Sequence, residues 1–165
     1  MAGMSQQWYR LLRGVHYLGY HTRDTMSYSY DDALDFTLVT SNAKEIKEIE
    51  GLLQRGGTMD SVIWVIEGVH TGQGTAYYLR EVFFPREISQ ALPEHYSGAR
   101  KKFEYTLDGK GDGQSFGETI RLNALSWFPA FLEDNGNFGF GLRLLRDQDV
   151  KQHFQEMAKV FFKDV

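Results

Sequence analysis

The sequence predicts an α+β fold, a mostly antiparallel β-sheet arranged as a sandwich or partly closed barrel, with one short internal helix and a C-terminal amphipathic helix. Several segments alternate apolar and polar residues with the period of a half-buried strand. Short glycine-containing turns separate the apolar runs, as antiparallel neighbours require. Only two stretches carry a clear helical stripe.

In chain order, "WYRLLRGVHYLGY" (8–20) has two glycines and many rings and reads as a long bent strand or a hairpin. "DTMSYSY" alternates, with Met26, Tyr28 and Tyr30 on one side, and "ALDFTLVT" continues with Leu34, Phe36 and Leu38 facing together. Asn42 and Glu45 have the spacing of a capping box and open the internal helix, whose stripe is Ile46, Ile49, Leu52 and Leu53 and whose end is Gly56-Gly57. Residues 62–69 are apolar on both faces and belong in the middle of a sheet. Residues 75–84 form the next strand, stopped by Pro85, and "REISQAL" suits a short helical turn after a proline. Strands are expected at 103–107 and 119–125, joined by "DGKGDGQSFGE", and "SWFPAF" and "FGFGLRLL" complete the sheet. The last helix begins near Gln148, with Val150, Phe154, Met157 and Phe161 on one face. With 165 residues and no repeat or linker, the expectation is a single domain over 1–165, with 1–6 disordered.

Composition narrows the function classes. The net charge of −4 opposes general nucleic-acid binding, which needs a cationic face; the one basic run, Arg100-Lys101-Lys102, is the candidate for a nucleic-acid or anion contact. Without cysteine there is no disulfide framework, thiolate metal site or cysteine nucleophile. No apolar run reaches membrane-spanning length and no signal-peptide layout opens the chain, so a cytoplasmic protein with no membrane partner is expected. Aromatic residues make up 15% of the chain, material for a sheet, an interface or a ring-lined pocket.

Three motifs bear on chemistry. The glycines of 68–75 lack the lysine and the following helix of a phosphate loop, so they read as a hairpin turn. Gly113-Gln-Ser-Phe-Gly117 spells a nucleophile elbow around Ser115, with Asp134 or Asp149 and then His153 in hydrolase order. The motif nevertheless lies between a polar glycine-rich run and a strand-like segment, and serine hydrolysis is the weakest reading. Asp108 and Asp112 fall at calcium-loop spacing, but Lys110 and Thr119 stand where acidic ligands belong. No metal or cofactor is expected. His16 and His21 fall on opposite faces of a continuous strand and cannot share a metal. Glu67 interrupts the most apolar strand and reads as its solvated end.

The expected function is therefore that of a non-enzymatic binding or assembly subunit acting through protein–protein surfaces, with self-association into a ring or tube as one form. Strand, capped helix, strand, turn and strand over the middle third of the chain form a succession similar to that in tube-forming subunits of contractile injection machines, and that resemblance implies ring assembly. The alternative is a β-rich domain that binds a small molecule in a pocket lined by Trp64, Tyr77, Tyr78 and Trp127.

Overall fold

The computed structural model describes residues 6–26, 36–55, 60–90, 103–139 and 141–162. Its elements run α1 (Gln6–Arg13), β1 (Val15–Thr22), α2 (Arg23–Met26), β2 (Thr37–Thr40), α3 (Ala43–Gln54), β3 (Ser61–Thr71), β4 (Gly74–Phe83), β5 (Glu87–Ser89), β6 (Tyr105–Asp108), β7 (Gly113–Ser115), α4 (Phe128–Asp134), β8 (Leu142–Leu144) and α5 (Gln148–Ala158), with 3-10 turns at Leu122–Ala124, Gly136–Phe138 and Lys159–Phe162. The fold class is α+β, as expected.

The strands form two sheets rather than a barrel. A five-stranded sheet has the order β7-β4-β3-β1-β8, and a three-stranded sheet has the order β2-β6-β5. The smaller sheet is antiparallel. The larger is mixed, because β1 and β3 pair in parallel from Val15↔Ser61 to Thr22↔Gly68. Such a pair needs a crossover connection, and α2, β2 and α3 lie along it.

β3 is central and covered on both faces, as its unbroken apolar run predicts. Its even-numbered residues Val62, Trp64 and Ile66 join a ring-rich core with α1, α4 and α5 that includes Trp8, Phe116, Phe128, Phe131, Phe154 and Phe162. Its odd-numbered residues Ile63 and Val65 face the smaller sheet and α3, packing with Tyr17, Leu38, Ile46, Ile49, Phe83 and Leu107. Most of the aromatic excess is thus spent between helices and sheet. The β3–β4 turn is a two-residue hairpin, with Thr71 paired to Gly74 and Gly74 at φ +121°. A register shift after Val65 leaves Arg80 as an extra residue in β4, a β-bulge.

Several segment readings are corrected. Residues 6–13 are helix, with Trp8 and Leu11 buried at i, i+3 spacing. Gly14 follows that helix at a close approach, where a Cβ would strike Val62 Cγ2 and lie 2.9 Å from the Asp60 carbonyl. Residues 23–26 form a helical turn rather than strand, and 27–35 lie outside the described residues. "REISQAL" begins as strand β5, since Ile88 pairs with Leu107. Residues 119–125 make a 3-10 turn and one bridge, Tyr78↔Arg121. "SWFPAF" enters α4, with Pro129 at the helix start, where a missing N–H is harmless. α5 is capped by Asp147 Oδ1, which accepts from Val150 N at 3.1 Å.

The capping box is also corrected. Asn42 makes no cap hydrogen bond; its Nδ2 donates to the Leu142 carbonyl at 2.6 Å. Glu45 Oε2 instead accepts from Leu144 N at 3.1 Å. Both side chains satisfy the outer edge of β8. Across the sheet, Asn123 Oδ1 accepts from Tyr77 N at 2.7 Å while its Nδ2 donates to the Thr75 carbonyl at 3.0 Å. The edge at β8 and the stretch of β4 beyond β7 are thereby blunted by side chains.

His16 is buried on the helix side, where its Nδ1 accepts from Trp64 Nε1 at 2.8 Å. Burial, and secondarily the charge of Lys151, push its pKa from 6.5 down to about 4. The unfolded chain therefore binds a proton near 6.5 that the folded chain refuses until about 4, so stability is full above 6.5 and declines as pH falls through that window. Urea midpoints measured near neutrality and at about pH 5 should reveal a loss on the order of 2 kcal/mol. His16→Asn, which keeps an acceptor near the Nδ1 position, should flatten that loss.

Candidate ligand-binding cavity

β8 pairs with β1 at Tyr17, Leu18 and Gly19. Beyond that point the flank of β1 is met by the chain around Gly141, whose carbonyl accepts from Tyr20 N at 2.7 Å. A cavity of about 440 Å³ lies here, lined by residues from β1 (Tyr20, His21, Thr22), the β2–α3 junction (Thr40, Ser41, Asn42) and the Phe138–Gly141 loop, together with Thr25 and Phe103. Gly141 has φ +76°, a backbone state that favours glycine, and a Cβ built there would lie 3.9 Å from His21 Cε1.

The polar groups of this lining are held in place. Thr22 Oγ1 donates to Thr25 Oγ1 at 2.8 Å and accepts from Thr25 N at 3.1 Å. Thr40 Oγ1 accepts from Asn42 N at 3.1 Å. His21 Nε2 is hydrogen-bonded to the Val39 carbonyl, an acceptor only, so that nitrogen carries the proton. The His21 ring meets Phe103 edge-on at 4.9 Å, and Tyr20 packs on Phe138 at 5.3 Å and on Tyr77 at 5.9 Å. Burial, then the neighbouring Tyr77, raise the Tyr20 phenol well above its ordinary pKa, keeping it neutral. Among the described lining residues there is no lysine, arginine, aspartate or glutamate.

Charges lie nearby instead, around α2. Glu67 is not the solvated strand end that the sequence suggests, because it is fully buried. It is paired with Arg23 Nη2 at 2.9 Å and lies 3.5 Å from Arg80 Nε, and Glu118 approaches both arginines, at 3.0 and 3.6 Å. An isolated buried carboxylate would cost several kcal/mol, and two guanidinium groups offset that. The hydrogen bond to Glu67 is the main cause that raises the Arg23 pKa. Arg23 thereby ties α2, which carries Thr25, onto the end of β3.

The residues singled out in the sequence lie elsewhere. Trp64 is fully buried in the ring-rich core. Tyr77 packs against Tyr20, Phe128 and Phe138, and Tyr78 is half-buried opposite Glu67. Trp127 stacks on His153, with centroids 4.9 Å apart and planes at 4°. None of the four lines this cavity, although Tyr77 touches two residues that do. Arg100, Lys101 and Lys102 fall outside the described residues.

Ser115 ends the edge strand β7, and its Oγ accepts from Gly117 N at 3.4 Å. No helix follows to shape an elbow; the next residues are Phe116, in the core, and a turn. Asp108 is occupied by Lys110, through its amide at 2.8 Å and its ammonium at 3.3 Å. Burial, the largest influence, raises the Asp112 pKa, but hydrogen bonds from Gln7, Arg86 and Arg10 outweigh it and leave the carboxyl below its ordinary value. The two carboxylates thus pin the turn and α1. Among the described residues no group of three or more acidic, histidine or cysteine side chains is arranged to hold a metal, and no helix is long and apolar enough to cross a membrane.

The sequence could not announce the cavity, since its lining is assembled from four separated segments of ordinary composition. The signals present were the glycines at 139 and 141 and the threonines that end β1 and β2. No protein-family model matches the chain, and no curated protein is similar to it.

One glycine of the 68–75 stretch serves packing rather than turning. A Cβ on Gly68 would overlap the Tyr20 hydroxyl and lie 3.0 Å from Cζ. Gly68→Ala should therefore destabilise the protein by about 1–3 kcal/mol. Adding Tyr20→Phe should recover part of that loss, a coupling that a double-mutant cycle in urea would measure.

Proposed function

We propose that this protein binds a small, uncharged, hydrogen-bonding molecule in the cavity beside the end of β1. The supporting observation is the convergence of Tyr20, His21, Thr22, Thr40 and Ser41 with the rings of Phe103 and Phe138 on one hollow of about 440 Å³. That volume is in the range of small-molecule sites, and rings with a few placed polar groups are their usual walls. The described lining carries no carboxylate, ammonium or guanidinium group, and so offers a charged ligand no partner for the solvation it would lose. The reading is binding rather than turnover, because His21 Nε2 is committed to the Val39 carbonyl and the Thr22 hydroxyl donates to Thr25.

Thermal shift with matched neutral and charged small molecules tests this reading. A neutral ligand at a hundredfold excess over its Kd should add about 2.7 kcal/mol of stability. Gly139 lines the cavity at φ −62°, and among the described residues beyond its chain neighbours the Gly136 carbonyl, at 3.5 Å, is what a built Cβ would meet. Gly139→Leu should therefore leave the unliganded melting temperature nearly unchanged and abolish the ligand's shift. A shift that survives in this variant would refute the site.

A second reading keeps the expected protein–protein surface, with a further copy of the chain as partner. It is favoured by Tyr9, Leu12 and Val160, which are 54%, 48% and 63% exposed on α1 and the C-terminal 3-10 turn. Trp8 and Phe162, with ring centroids 5.7 Å apart, hold those two elements together. With β8 and the stretch of β4 beyond β7 blunted, contact would run through this apolar surface rather than through strand addition there. Light scattering should show a concentration-dependent mass that Leu12→Glu reduces; a monomer at every concentration would exclude self-assembly, rings and tubes included.

A further inference from the structure

We propose that a second hollow, between the start of α3, β8 and the end of α4, is a site for a small organic monocarboxylate with an apolar chain. It measures about 400 Å³. Its floor is apolar, since Leu18, Phe131 and Leu145 all line it and all are buried. Its rim carries the exposed cations Lys44, Arg143 and Arg146. A molecule that satisfies both parts must be amphipathic, with its chain on the floor and its anionic end at the rim.

Two carboxylates also line the hollow, but each has a fixed task. Glu45 Oε2 accepts from Leu144 N and Asp147 Oδ1 from Val150 N. With both acids accepting from backbone amides, Lys44 and Arg146 are the rim cations that an incoming anion would meet. Lys44 and Arg146 both act on the Glu45 carboxyl: burial, then Glu48, raise its pKa, while the Leu144 hydrogen bond and these two cations oppose the rise. Both charges are therefore felt at one place in the hollow. The amide end of α3 points the same way in sign, because Asn42, which could have capped it, is turned to Leu142. A carboxylate suits the planar fork of arginine better than a neutral head group does.

The experiment compares octanoate, octanol and octylammonium, which share a chain and differ in charge, by calorimetry at low salt on the full chain. Octanoate should bind, the other two at least about tenfold more weakly. The double variant Lys44→Gln/Arg146→Gln, at exposed positions, should weaken octanoate by about tenfold or more without moving the melting temperature. Glu45→Gln, which keeps an oxygen acceptor for Leu144 N, should tighten octanoate. Gly139→Leu should leave octanoate untouched, which separates this site from the cavity beside β1. Equal binding of the three probes, preference for octylammonium, no octanoate binding at millimolar concentration, or indifference to the double variant would each overturn the proposal.

Discussion

The parallel pairing of β1 with β3 is the constraint on which the rest of the molecule depends. Two parallel neighbours cannot be joined by a tight turn, so the chain must leave the sheet after Thr22 and return before Ser61. β2, laid down on this excursion, joins the second sheet, and α3 packs against the odd face of β3. β1 also presents its outer flank to β8, which pairs with Tyr17, Leu18 and Gly19. The cavity beside Tyr20 lies past those three pairs, where β1 meets the chain at Gly141. The architecture thus follows from one pairing.

The second recurring device is the use of side chains in place of a neighbouring strand. An exposed sheet edge offers unpaired amides and carbonyls and invites association. Asn42 and Glu45 satisfy Leu142 and Leu144 on one flank, and Asn123 satisfies Thr75 and Tyr77 on the other. An asparagine amide can do this with one side chain, because it carries both a donor and an acceptor. α3 forgoes its side-chain cap as a result. Strand addition is thereby blocked at those places.

Much of this was legible in the sequence, and what was not has identifiable causes. The α+β class, the central position of β3, the hairpin at 68–75, the stripe of α3 and the last helix all rest on local pattern, which survives folding. The parallel pair does not, because β1 alternates in the same way whichever neighbour it takes. α1 was obscured by rings that suit strands, although Trp8 and Leu11 with Gly14 behind them carried the helical signal. α4 was obscured in the same way, with Pro129 as its unread start. Asn42 and Glu45 had the spacing of a cap, yet long-range contacts with β8 outweighed the local bond. Glu67 looked solvated because its partners, Arg23 and Arg80, are 44 and 13 positions away, and no spacing rule connects them. The cavity, drawn from four segments, had no local signature.

The bulge at Arg80 acts as a parity switch. After it, even-numbered residues of β4 such as Val82 look toward the helices; before it, odd-numbered ones such as Leu79 and Tyr77 do. One supernumerary residue therefore decides that Tyr77 meets Tyr20 and that Tyr78 lies opposite Glu67. Counting by twos from either end of this strand assigns the other half to the wrong side, and excising a single position there would turn half a ribbon inside out.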